Sequence, residues 1–562
     1  MRQFFVLVNL LIITAIQPLF AQQVFLSWSS SDVRYSERNV PDASKPVTRI
    51  SLTTWRGERI NAQSVLIPKT DMSGVKVVVS DLNSSSAVIP ASAISTFFVR
   101  YVMTDELNKD GKGGCGVRPN KQDWDSLMVA DMLDNKDIVD LNAGEIYPIW
   151  MKIWTPADAK PGKYKGTLLV TDENQLALTL NIELEVLNRT LPAPKEWGFH
   201  LDLWQNPYSA ARIYGVPLWS DAHFEAMRPT MKTLADAGQK VITATIMHKP
   251  WNGQTEDFFD AMVNKIKCID GTWKYDYTVF DRWVEFMMSL GIDRQINCYT
   301  LIPWALSFDY FDQATNRIQF VKAEPGSQAY SDYWSAFVKD FASHLRQKGW
   351  FEKTCIAMDE RGLEAMKEAI KLIRSVEPEF KISLAGAYHA EIADEIHDLC
   401  LSFNHFFPES DLEARKSAGK ISTVYTCCAE ARPNTFTFSP PSEAASLGWF
   451  ALAGNYDGYL RWAYNSWTAD PVNDSRFRTW AAGDCYLVYP DGHSSIRMER
   501  LIEGIQDYEK FKILQKEYVA SKSASKLNLL NRILSLFTAE NLEREGSDAI
   551  VAKARAILNM KN

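Results

Sequence analysis

From Trp197 onward, short apolar runs alternate with amphipathic stretches, and the alternation recurs eight times. The runs are Trp197–Leu203, Val241–Ile246, Gln295–Tyr299, Thr354–Met358, Lys381–Ala385, Leu399–Phe403, Ser422–Thr426 and Gly458–Tyr464. Strands covered by helices on their outer face read as such compact apolar runs. Between them, Phe280–Leu290, Ser331–Gln347, Gly362–Val376 and Pro441–Ala453 read as helices. Eight strands each followed by a crossover predict a (β/α)8, TIM-like barrel. The stretch Ala305–Tyr330 is long for a strand-to-helix loop and is expected to fold over the barrel mouth.

A chain of 562 residues exceeds what one core supports, so more domains are expected. Upstream of the barrel, Val75–Ser80, Tyr147–Ile153, Tyr164–Val170 and Ala177–Val186 read as strands, the last with clear apolar–polar alternation. Residues 22–190 therefore predict an all-β sandwich. Leu191-Pro192-Ala193-Pro194 is a stiff linker leading into the barrel at residues 195–490. Residues 491–562 show helical spacing, as in Leu501, Ile505, Tyr508 and Phe511, and predict a helical extension packed on the barrel. Residues 1–21 read as a signal peptide: Arg2, an apolar Phe4–Ile16, then Leu19-Phe20-Ala21 before the cleavage point. That apolar stretch is short for a membrane span and no other segment could span a bilayer, so an exported, periplasmic or extracellular protein is expected.

A formal net charge of −8 without a Lys/Arg run disfavours nucleic acid as a partner. The eight Cys are scattered, apart from Cys427-Cys428, and no Cys or His pattern has metal-ligand spacing. Buried free thiols are the default; export permits a disulfide, but the spacing does not select one. No metal or cofactor is expected, and the oligomeric state is left open.

In such a barrel the active site forms at the C-terminal ends of the strands. The fourth run ends in Asp359-Glu360, two adjacent carboxyl groups whose burial is costly unless one is protonated or paired. As an isolated dipeptide this would be a charged surface turn. Here other strand ends supply chemistry suited to a sugar: His200, Asp202 and Trp204 after the first, His248 and then Trp251 after the second, Tyr299 and Trp304 after the third. Tyr388 and His389 follow the fifth, Tyr425 the seventh, and Arg461, Trp462, Tyr464, Asn465 and Trp467 the eighth. Singly, each Trp reads as core and each His as a satisfied interior group. Together they are candidates for substrate binding, since pyranose C–H faces stack on aromatic rings.

Adjacency limits the mechanism. Inverting glycosidases hold two carboxyls ~6.5–9.5 Å apart on opposite faces of the sugar. Neighbouring residues suit substrate-assisted hydrolysis of a 2-acetamido sugar, in which the acetamide oxygen attacks the anomeric carbon. Asp359 is the candidate for orienting the acetamide. Glu360 is the candidate general acid, expected to be buried beside the charge of Asp359.

Trp55-Arg-Gly-Glu58 with Asn61-Ala-Gln63, Met358-Asp-Glu360, and Gly483–Pro490 with Ser495–Tyr508 occur in this order. On these segments the chain resembles glycoside hydrolase family 123, the bacterial β-N-acetylgalactosaminidases, over nearly all its mature length. The resemblance implies Asp359 and Glu360 as the catalytic pair. It also implies an exo-acting retaining hydrolase of terminal β-linked N-acetylgalactosamine, including glycosphingolipid glycans. Alternatives are a glycosidase of other specificity, β-GlcNAc or β-Gal, with a different carboxylate pair such as Asp202 and Glu360, and a non-catalytic carbohydrate-binding protein.

Overall fold

The computed structural model describes residues 24–36, 45–105, 115 and 124–560. The expected signal peptide lies outside the described residues. Two sheets form the N-terminal domain. In one, Val24–Ser29, Arg59–Pro68, Tyr147–Trp154, Ile94–Thr104 and Leu127–Asp134 lie side by side. The other is seven-stranded and runs from Arg49–Arg56 through Ala177–Thr190, Gly162–Thr171 and Met72–Val79 to Ile138–Leu141. The alternation in Ala177–Thr190 turns Leu180, Ile182, Leu184 and Val186 inward, against Leu26, Leu66 and Met151 of the facing sheet.

The eight barrel strands are His200–Leu203, Val241–Thr245, Gln295–Tyr299, Thr354–Met358, Lys381–Gly386, Asp398–Ser402, Ile421–Tyr425 and Gly458–Arg461. They are hydrogen-bonded in parallel, in cyclic order, with the first strand beside the eighth. Between the first and second strands the backbone ladder reduces to the pair Leu201 and Gln239. Two glutamine side chains complete the closure. Gln239 accepts from Leu203 N at 3.0 Å and donates to the Val241 carbonyl at 2.7 Å; Gln205 accepts from Thr243 N at 2.9 Å. Buried backbone groups are thereby satisfied where strand pairing stops.

The insertion after the third strand does not cross the mouth as expected. Ser307–Asp312 and Arg317–Lys322 form a hairpin that joins Asn264–Lys267 and Trp273–Asp276 in a four-stranded sheet. Phe308 and Lys265 of this sheet face Trp334 on the helix Gln328–Lys348, which draws the insertion to the flank of the barrel.

The helix Ile496–Ala520 follows the last strand and its long irregular connection. From Ile496 to Phe511 it is buried on all sides, although Arg497, Glu499, Arg500, Glu503, Asp507 and Lys510 lie within it. On one side it packs on Pro441–Ala453 so closely that a Cβ on Gly448 would lie 2.1 Å from the Gly504 carbonyl oxygen, and one on Gly504 2.4 Å from that of Ala445. On another side it meets the sandwich. Asn61 Nδ2 donates to Glu503 at 2.8 Å, Arg59 pairs with Glu499 at 3.3 Å, Lys510 pairs with Glu58, and Arg497 pairs with Asp131 at 2.9 Å. The two domains thus form one packed unit.

Buried ions hold their place only while partnered. Glu503 also receives Arg500 and, at 2.7 Å, Arg555. Glu503→Ala is expected to cost about 3 kcal/mol, because two buried guanidinium groups each lose one of their two carboxylate partners, Arg500 keeping Asp32 and Arg555 keeping Asp507. The urea midpoint should fall clearly, whereas Glu545→Ala, on an exposed ion pair with Lys553, should leave it in place.

Candidate active site

Asp359 and Glu360 follow directly on the fourth strand, so they stand at the C-terminal mouth of the barrel. They open onto a cavity of about 710 Å³. The two side chains diverge. Asp359 is half-buried and turned towards aromatic rings, where Trp304 Nε1 donates to its Oδ2 at 3.3 Å. Trp204, Trp251 and Tyr299 pack behind it, with Trp204 and Trp251 stacked at 4.9 Å and Tyr299 tilted at 4.6 Å and 5.0 Å from them. Glu360 is exposed in the cavity, and the Tyr425 hydroxyl donates to its Oε1. Burial was expected of Glu360. It falls on Asp359 instead, because the chain leaves the strand with the first carboxyl facing inward and the second outward.

Burial, and then the charge of Glu360, push the Asp359 carboxyl up to about 7, against the pull of the Glu360 amide and the Trp304 and Trp251 indoles. Burial, and then Glu360, also hold the Tyr425 hydroxyl well above its ordinary value, so it serves as a proton donor to the carboxylate.

Of the residues proposed from the sequence, Trp204, Trp251, Trp304, Asp359, Glu360, His389, Tyr425 and Trp462 line the cavity. The others do not. His200 and Asp202 lie inside the barrel beneath the floor. Burial opposes a charge on His200, yet Asp398 at 3.4 Å holds its pKa above the ordinary value. Burial, and then Asp398, raise Asp202 to about 7. With Asp202 enclosed there, the alternative pairing of Asp202 with Glu360 across a sugar has no basis. Tyr299 is 1% exposed and supports the Trp floor from below. Tyr388 turns away to Asp411. His248 leaves the mouth for Asp260, at 2.8 Å.

At the eighth strand, most candidates are structural for one physical reason: the connection from 462 to 490 folds back over them. Arg461 is fully buried and pairs with Asp484 at 2.7 Å. Tyr464 donates to the Thr230 carbonyl, Trp467 Nε1 to the Val488 carbonyl, and Asn465 to the Asn206 carbonyl. Trp462 alone reaches the cavity, held by an N–H bond to Asp484 at 3.2 Å and by an edge contact with Trp480.

Trp251, a candidate after the second strand, is a principal wall ring. The structure also adds wall residues that the candidate set lacked. Arg361 follows the carboxylate pair, and its buried Nε has no hydrogen-bond partner among the described residues. Glu430, 2% exposed, accepts from Ser402 Oγ at 3.1 Å and from Cys427 N at 2.8 Å. The N-terminal domain also reaches the wall. Cys115 is disulfide-bonded to Cys428, across a sequence separation of 313, and both line the cavity. Among the described residues, no group of His, Cys, Asp and Glu is arranged to hold a metal ion.

A barrel with paired carboxyls and indole walls at its mouth is the layout of a carbohydrate-processing enzyme. The comparisons agree. Residues 204–514 match the family model of the glycoside hydrolase 123 catalytic domain, and residues 28–172 match the glycoside hydrolase 123 N-terminal domain. The chain belongs to glycoside hydrolase family 123 and is a glycosidase. It is similar to a family 123 glycoside hydrolase from Clostridium perfringens, whose structure was described for glycolipid glycan hydrolysis. Identity is 29% and the TM-score 0.85, over 95% of this chain and 97% of that one. A family 5 xyloglucanase from Bacteroides ovatus aligns at 9% identity and a TM-score of 0.30, over 84% of this chain and all of that one, too weakly to inform function. No curated protein matches significantly.

The raised Asp359 pKa has a consequence for stability. In the unfolded chain this carboxyl titrates near 3.8, and in the folded protein near 7. Between those values the folded state binds more protons, so the stability contributed by Asp359 is complete below about pH 4 and is lost as pH rises through 7. Asp359→Asn removes this dependence. Its unfolding free energy should exceed that of wild type at pH 8 by on the order of 1–2 kcal/mol after allowing for solvent contact, and match it at pH 4, as read by urea denaturation.

Proposed function

We propose that the protein is an exported, exo-acting hydrolase that releases terminal β-linked N-acetylgalactosamine from glycans, including those of glycolipids, with retention of configuration. The observation that carries this reading is the divergence of two adjacent carboxyls: Asp359 faces an indole-lined niche, and Glu360 faces the open cavity beside Tyr425. The niche is apolar on three sides and polar at Asp359, which suits an acetamide: its methyl against the rings, its N–H towards the carboxylate.

In the first step the acetamide oxygen attacks the anomeric carbon while the glycosidic C–O bond breaks. Glu360 gives its proton to the leaving oxygen. Asp359, ionised, accepts the N–H and balances the positive oxazolinium ring. In the second step Glu360, now a carboxylate, takes a proton from water as the water oxygen bonds to the anomeric carbon and the acetamide reforms. Tyr425 keeps Glu360 in place for both transfers. The similarity to the Clostridium perfringens enzyme supports glycolipid glycans as substrates. The Cys115–Cys428 disulfide supports an oxidising, exported location.

Substrate panels, an inhibitor and two variants test this. Among aryl glycosides, β-GalNAc should be cleaved well ahead of β-GlcNAc and β-Gal, and a GalNAc-thiazoline should inhibit. A covalent sugar trapped on any carboxylate would exclude the mechanism. Glu360→Gln should lose about 10²–10⁴-fold in kcat on a natural disaccharide, with less loss for the first step on an activated aryl glycoside. Trp304→Phe removes a donor that lowers the Asp359 pKa, so the acid limb of kcat/KM should move to higher pH.

A further inference from the structure

The four-stranded sheet beside the mouth has one face on the helix Gln328–Lys348 and the other uncovered. Along its edge strand, side chains alternate between the faces. On the outer face stand Ile318, 57% exposed, and Phe320, 53% exposed, followed on the same side by the exposed Lys322. Phe258, 43% exposed, comes from the loop after the second barrel strand. The His248 ring bridges the two aromatics, 5.4 Å from Phe258 and 6.1 Å from Phe320. Lys249 Nζ lies 4.2 Å over the Phe258 ring. Here His248, unused by the cavity, has a place: its ring, bonded to Asp260 at 2.8 Å, is the centre of an apolar patch edged by Lys249 and Lys322, with Asp309 opposite Phe320 on the same face.

This patch borders the catalytic mouth directly. Trp251 of the cavity wall is two residues beyond Lys249, and Trp304 N donates to the Pro250 carbonyl at 3.0 Å. Across the barrel, the loop after the sixth strand carries Phe406, 75% exposed, next to His405 of the cavity wall. A sugar held at Asp359 and Glu360 therefore leaves its aglycone between two rims that both present apolar side chains to solvent. Apolar side chains with cationic neighbours are what a protein lays into the interface between lipid headgroups and acyl chains. No described helix is long and apolar enough to cross a membrane, so any contact made by these elements is peripheral.

We infer that the surface formed by Phe258, Ile318 and Phe320, with Lys249 and Lys322 at its edge, docks the enzyme on the lipid surface that displays its glycolipid substrate. This rests on the glycolipid reading above. Docking places the mouth at headgroup level and raises the local concentration of glycans there.

The test uses the full-length protein and phosphatidylcholine vesicles with and without incorporated glycolipid. Wild type should co-sediment with both. The Phe258→Ser/Phe320→Ser variant should bind at least about tenfold less and lose a similar factor in kcat/KM on vesicle-borne glycolipid. Its turnover of a soluble aryl glycoside should stay within about twofold of wild type, which also shows that it folds. Equal vesicle binding by the two proteins, or none by wild type, overturns the inference. So does a wild-type dimer in light scattering that the substitutions dissociate, since the patch would then seat a second copy. Vesicle binding is read without catalysis. If wild type fails on β-GalNAc glycosides but the binding difference stands, the substrate reading fails and the docking surface remains.

Discussion

The buried helix Ile496–Ala520 is the interaction on which the architecture depends. It carries a dense set of ions through the interior, and neither domain satisfies them alone. Glu58, Arg59 and Asn61 answer from the sandwich, Asp507 and Glu503 meet Arg555 from the last helix, and Gly448 lets the barrel's own helix approach to backbone contact. Charges placed this way are expensive to desolvate and give specificity of docking in return. The sandwich is therefore held in one orientation, and with it the position of Cys115 at the cavity.

The family segments recognisable in the sequence now have a physical meaning. Trp55-Arg-Gly-Glu58 with Asn61, and the stretch Ser495–Tyr508, are two sides of this one interface. The barrel strands were legible because each is a compact apolar run with a crossover to the next. The glutamine closure between the first and second strands was not legible, since Gln205 and Gln239 look like surface residues until the missing ladder is seen. The insertion at Ala305–Tyr330 was misplaced because its length says nothing about direction. That was decided by Phe308 finding Trp334.

At the site, the Asp359–Glu360 pair is visible in the sequence as two carboxyls ending an apolar run. Which of the two is the more buried is not, because a sequence does not say which of two neighbours faces inward. The strand-end rule collected Trp204, Trp304, His389, Tyr425 and Trp462 correctly as wall residues. It failed for Arg461, Tyr464, Asn465 and Trp467, where an irregular connection covers the strand end and turns a mouth position into core. Glu430 and Trp480 come from connections without periodicity, so no pattern marked them.

The bond between Cys115 and Cys428 reaches beyond its contribution to the wall. It makes one side of the catalytic cavity a joint property of two domains. Exchanging the sandwich between relatives would exchange part of the pocket as well, and a catalytic domain expressed alone would lack that part. The cavity is therefore complete only in the two-domain whole, and a change at Cys115 reaches the pocket from a domain that supplies neither carboxylate of the pair.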